Sequence, residues 1–112
     1  MAIFSTHLLN SIDGTHASDV EIVIHKVNNN NKVVFLEDKT DSSGRMLKEF
    51  ELTKEDCESD YEMIINSGKY FRNTSEIINS ISVKFKMKDP LKKYHIPLII
   101  SPNGYSIWLS LI

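Results

Sequence analysis

Four histidines, one cysteine and an arginine behind a tight turn are the side chains of this 112-residue chain best suited to chemistry. The most demanding is His95. It stands in Tyr94-His95-Ile96-Pro97-Leu98-Ile99-Ile100-Ser101-Pro102-Asn103-Gly104-Tyr105, which holds the longest apolar run and two of the three prolines. An imidazole there must find a hydrogen-bond partner or take a desolvation penalty of roughly 1–3 kcal/mol. It is either a structural histidine satisfied inside the fold or a group kept for proton transfer, and the stretch alone leaves both open. His7 lies on the same face of an alternating segment as Ile3 and Leu9. His16 lies in a loop, and His25 falls on a mixed face as a structural or exposed residue. Arg45 follows Thr40-Asp41-Ser42-Ser43-Gly44, where a lone arginine is commonly a surface charge. Cys57 sits among carboxylates in residues 54–60, which disfavour a thiolate and hence a nucleophilic role. No third His, Cys or carboxylate accompanies His7 or His95 at ligand spacing, so neither a metal site nor a cofactor is expected.

The elements that must position these residues are mostly strands. Residues 2–10 alternate, with Ile3, Ser5, His7 and Leu9 on one face and Phe4, Thr6 and Leu8 on the other. Turn chemistry fills 11–19, with Asp13-Gly14 the strongest signal. Strands are expected at 20–27, 33–37, 45–50 and 61–66, and Asn28-Asn29-Asn30-Asn31 reads as a polar hairpin loop. Residues 52–60 read as acidic and irregular, and 67–72 as one or two helical turns that need a sheet to pack on. The clearest alternation covers 78–87, where Ile81, Val83, Phe85 and Met87 oppose Ser80, Ser82, Lys84 and Lys86. Pro97 lacks a ladder donor, so a strand at 94–101 is expected at an edge or interrupted there. Ser101-Pro102-Asn103-Gly104 reads as a reversal in which Asn-Gly tolerates positive φ, returning the chain as a strand over 105–112. Eight short strands with near-regular turns imply an all-β antiparallel sandwich or small barrel.

Length and charge narrow the function classes. The chain is short enough for one domain, 1–112, and long enough to bury a core without a metal or disulfide staple. Thirteen Lys and Arg against fifteen Asp and Glu give a net charge of −2, with no nucleic-acid or membrane-surface footprint. The single cysteine excludes an intramolecular disulfide and fits a reducing compartment. With neither signal-peptide character at its start nor a membrane-spanning run, a cytoplasmic protein is expected.

Taken together, Ser5-Thr6-His7-Leu8-Leu9, Ser43-Gly44-Arg45, and Tyr94-His95-Ile96-Pro97-Leu98-Ile99-Ile100-Ser101-Pro102 with Gly104-Tyr105-Ser106 resemble the transthyretin family. The likeness is to its 5-hydroxyisourate hydrolase branch, and it extends to Gly68-Lys69-Tyr70-Phe71, where the family carries one short helix. The resemblance implies a sandwich of two four-stranded antiparallel sheets, a homotetramer, and active sites where dimers meet. It maps catalytic roles onto His7, Arg45 and His95, a trio that the hormone-carrying branch lacks. The implied reaction is ring opening of a strained purine-derived lactam by water. Two imidazoles sharing one proton leave a neutral ring to act as base, while the arginine fork anchors the planar anion. The hydrolase branch ends in a Tyr-Arg-Gly-Ser type tetrapeptide. Here Trp108-Leu109-Ser110-Leu111 stands in register with it, so Trp108 and Ser110 are the expected substrate-binding residues and the wall becomes apolar at Leu109 and Leu111. The smaller departures are Asn10 in place of aspartate and His16 in place of proline. The alternative is a non-catalytic relative that binds a small apolar or aromatic ligand in the tetramer channel.

Overall fold

Alternation of period two builds the first strand. In the computed structural model, which describes residues 1–72 and 77–109, β1 (Ala2–Asn10) buries Ala2, Phe4, Thr6, Leu8 and Asn10 and leaves Ile3, Ser5, His7 and Leu9 partly exposed. The chain continues through β2 (Glu21–Asn28), β3 (Asn31–Lys39), β4 (Arg45–Phe50), α1 (Lys54–Glu58), β5 (Asp60–Ile65), α2 (Ser67–Tyr70), β6 (Ile81–Lys86), β7 (Lys93–Ser101) and β8 (Gly104–Ile107). Asn29 and Asn30 make the two-residue loop between β2 and β3, at φ of 47° and 71°. Asparagine adopts that left-handed conformation more readily than most residues.

The strands form two four-stranded sheets, ordered β4-β1-β7-β8 and β3-β2-β5-β6. Their inner faces enclose Phe4, Leu8, Ile22, Ile24, Tyr61, Met63, Ile65, Leu98 and Ile100, each almost fully removed from water. Burial of a large apolar side chain stabilises by about 1.5–3 kcal/mol, so this seam holds the two sheets together. Thr6, polar yet buried, meets its need by donating from Oγ1 to the Ile96 carbonyl at 2.7 Å.

The sandwich has the expected two four-stranded sheets, but four particulars differ from expectation. β1 and β7 run parallel, while the remaining neighbours are antiparallel. β7 is internal and its ladder to β8 is interrupted at Pro97, one of the two expected outcomes. β8, by contrast, ends at Ile107 and lacks the expected continuation through Trp108 and Leu109. Pro97 is tolerated because β8 pairing ends at Leu98–Ile107, and the alternation set by the Ser101–Gly104 hairpin pair turns the Pro97 nitrogen toward that vacated side. The Pro102-Asn103 reversal needs no positive φ. Ser101 Oγ instead accepts from Asn103 N at 3.2 Å and donates to the Gly104 carbonyl at 3.1 Å.

The fourth difference is a second short helix in the stretch expected to be irregular. Thr53 caps α1: its hydroxyl accepts from Asp56 N at 3.1 Å, and Asp56 Oδ2 accepts from Thr53 N at 2.9 Å. This reciprocal box satisfies two donors that five residues of helix could not. Cys57 rides on α1, half-buried against the core instead of exposed.

Candidate functional site

The outer face of the β4-β1-β7-β8 sheet carries the polar cluster. His7 is the register partner of Arg45 on β4 and of Pro97 on β7, and Ser5 is the partner of His95. Directly paired residues share a face with Cβ atoms about 4.5–5.5 Å apart, and diagonal ones lie at about 7–8 Å. His7, Arg45 and His95, from opposite ends of the chain, thus meet on one surface. His25 does not join them, because β2 belongs to the other sheet, where its Nδ1 has no hydrogen-bond partner among the described residues.

His95 is exposed, not buried as its apolar flanks imply. Its neighbours Ile96, Leu98 and Ile100 turn inward, so the alternation that sinks them lifts the imidazole onto the outer face. Its Nδ1 shares a 2.8 Å hydrogen bond with Ser5 Oγ. That contact orients the ring on an exposed residue.

A tight turn delivers Arg45. Asp41 Oδ1 accepts from Ser43 N at 2.9 Å, Ser43 Oγ at 3.0 Å and Arg45 N at 3.0 Å. Gly44, at φ 73°, donates its N–H to the Asp41 carbonyl at 2.9 Å and accepts from Leu8 N at 2.8 Å. A Cβ on Gly44 would stand 2.5 Å from the Leu8 carbonyl oxygen. The turn thereby locks β4 to β1 at the position where Arg45 faces His7.

His16, read from the sequence as a loop residue, belongs to the cluster. The 11–15 turn folds back so that Asn10 N donates to the Thr15 carbonyl at 2.8 Å and Ala17 N to the Leu8 carbonyl at 2.9 Å, making Leu9 and His16 an isolated bridge. His16 Nδ1 then lies 3.1 Å from His7 Nε2, with ring centroids 5.2 Å apart. Thr40 pins the same segment, donating from Oγ1 to the Ala17 carbonyl at 2.7 Å and accepting from Val20 N at 2.9 Å. The reversal is centred on Ile12-Asp13, so counting outward from the Asp13-Gly14 signal would have set His16 opposite Ser11, and the sequence did not show its pairing with Leu9. Ser5 was legible only as a face-mate of His7.

Electrostatically the cluster disfavours protonation of His7. Partial burial lowers its pKa from 6.5, the positive charges of Arg45, His16 and His95 lower it further, and a hydrogen bond to the Ser43 backbone opposes them. Such a surface favours a neutral imidazole beside a fixed cation and suits an anionic ligand. Among the described residues no three His, Cys, Asp or Glu side chains gather as a metal would require.

Trp108, half-exposed, follows β8 with exposed Leu109. Ser110 and Leu111, expected to contribute a substrate-binding hydroxyl and an apolar wall, lie outside the described residues. The same outer face bears exposed Leu47, the partner of Ser5.

Fold and polar outer face together define a transthyretin-like sandwich with a histidine–arginine cluster. A family model described as HIUase/Transthyretin family matches residues 4–109, and the chain belongs to that family. It is 31% identical over 108 residues to a 5-hydroxyisourate hydrolase of Salmonella dublin, covering 95% of this chain and 79% of that one. The structure of Klebsiella pneumoniae 5-hydroxyisourate hydrolase shares the fold with a TM-score of 0.80 at 20% identity, covering 98% of this chain and 99% of that one. Sea bream transthyretin in complex with thyroxine shares it at 0.78 and 18%, covering 97% of each. An (S)-allantoin synthase structure matches at 0.78 and 23% over 96% of this chain, which spans only 43% of that one. No helix among the described residues is long and apolar enough to cross a membrane.

Proposed function

We propose that this chain is a cytoplasmic 5-hydroxyisourate hydrolase, acting as a homotetramer without a metal or cofactor. The observation that carries the proposal is the convergence of His7, Arg45 and His95 on one sheet face. Arg45 binds the planar anionic substrate through its fork of donors and stabilises charge developing on the attacked carbonyl oxygen. The His7–His95 pair supplies the base: a neutral imidazole takes a proton as water adds to the ring carbonyl. The carbon–nitrogen bond then breaks, and the same proton passes to the departing nitrogen. General base catalysis of this kind contributes about 10²–10⁴-fold in rate. Trp108 and Ser110 complete the substrate's surroundings. In one protomer His95 and Arg45 are exposed, so a second protomer packed over this face is what dries the site and strengthens its electrostatics.

The test is disappearance of the ultraviolet absorbance of freshly generated 5-hydroxyisourate. Acceleration by the protein, lost in His7→Ala and in His95→Ala with folding and assembly intact, is the expected result. A rate equal to buffer, with a hydrophobic fluorophore bound beside exposed Ile107, Trp108 and Leu109, would instead assign a ligand-binding role.

A further inference from the structure

Resting on the hydrolytic proposal above, we propose that His16 is the proton port of His7, so that His7 exchanges protons with substrate and water through His16. The geometry engages one nitrogen of His7 directly. Its Nε2 lies 3.1 Å from His16 Nδ1, and the Ser43 backbone is the acceptor that favours a proton on the rest of the ring. With Nε2 committed to His16, the nitrogen that meets Ser43 is Nδ1. In the neutral ring Nδ1 therefore carries the hydrogen, Nε2 is the acceptor, and His16 Nδ1–H is the donor across the 3.1 Å contact. His16 then presents its unprotonated Nε2 from an exposed ring, held on a backbone pinned at Leu8, Asn10 and Thr40.

The transfer balances without an outside reagent. As water adds to the substrate carbonyl, one water proton goes to His16 Nε2 while the His16 Nδ1 proton moves to His7 Nε2. His16 stays neutral with its hydrogen exchanged, and His7 becomes the imidazolium. Partial burial comes first in making that cation unstable, then the Arg45 guanidinium on β4, with His95 on β7 also facing it, against the Ser43 backbone hydrogen bond that favours it. The proton therefore returns along the same path to the departing ring nitrogen, and the pair is reset. His16 thus has a role that the expected trio of His7, Arg45 and His95 did not include.

Two measurements on the assembled protein test this independently. Nitrogen-15 NMR of the imidazole rings through a pH titration reads proton sharing without reference to catalysis. In the neutral wild-type ring His7 Nδ1 should read as protonated and Nε2 as an acceptor whose nitrogen-15 signal is displaced by the hydrogen bond from His16, and His16→Phe should abolish that displacement. A His7 Nε2 signal that is unchanged in His16→Phe would overturn the proposal. In the absorbance assay His16→Phe should lower kcat about 10–100-fold with KM within about twofold, and added imidazole should restore part of the rate to His16→Ala. Unchanged or higher kcat in His16→Phe, or no response of His16→Ala to imidazole, would overturn it. Were the wild type itself inactive, the hydrolytic proposal and the port would both fall, while the NMR titration would still decide whether the pair shares a proton.

Discussion

His7 is the residue on which the site's pH behaviour turns. Burial comes first among the causes that lower its pKa from 6.5, followed by Arg45, His16 and His95. His7 therefore gives up its proton at lower pH than an ordinary imidazole. The acid limb of kcat/KM is expected to bend below the ordinary imidazole value. Arg45→Gln should move that limb toward higher pH while lowering kcat/KM about 10²–10³-fold, the range seen when an oxyanion donor is removed; pH–rate profiles of both proteins check this. Stability follows the same linkage. Between the depressed folded value and 6.5 the unfolded chain binds more protons than the folded one, so stability is fully present above 6.5 and declines as pH falls through that window. Urea midpoints for the wild type should fall between pH 7.5 and pH 5.5, and by less in His7→Asn, which has no imidazole to titrate. An equal fall in both would show that other groups set the acid sensitivity.

At the scale of elements, the 41–45 turn and the returning 11–17 segment do more for the site than any strand alone. Gly44 couples them: its positive φ and its approach to Leu8 leave no room for a side chain. Gly44→Ala should cost about 1–3 kcal/mol and shift Arg45 off His7, reducing activity beyond the loss of stability. Gly104→Ala, where nothing lies within 4 Å of the added Cβ, should be neutral or stabilise by up to about 1 kcal/mol; denaturant unfolding of the two compares them directly. Thr53→Ala, which opens the α1 capping box, should cost about 0.5–2 kcal/mol. These elements were unevenly legible in the sequence. Alternation in residues 2–10 and 78–87 announced strands because one face is buried and the other wet, although β6 begins only at Ile81. The parallel β1–β7 pairing carries no local sign, since it joins the two ends of the chain, and only the family likeness set His7 beside His95. α1 is too short for a 3.6-residue period, and its capping residues, Thr53 and Asp56, were its one signal. His16 stayed hidden because its partner is fixed by a chain reversal and not by strand periodicity.

For the whole molecule the outer face of the β4-β1-β7-β8 sheet poses a single question: what covers it. Leu47 is 61% exposed in the row beside Ser5, one position along β4 from Met46 in the core. Trp108 and Leu109, which follow β8, are also exposed. Apolar surface of this kind next to a polar cluster marks an interaction face, and twofold stacking of two such faces would bring two His7–Arg45–His95 clusters together out of water. Leu47→Glu places a charge on that face without touching the inner core. It should shift the proposed tetramer to a smaller species in sedimentation, with folding retained by circular dichroism. Because Arg45 and His95 are open to solvent in one protomer, hydrolysis should fall in step with dissociation. Wild-type specific activity should likewise decline on dilution through the association range. A Leu47→Glu protein that sediments as a smaller species yet hydrolyses 5-hydroxyisourate at the full wild-type rate would show that one sheet face suffices for catalysis.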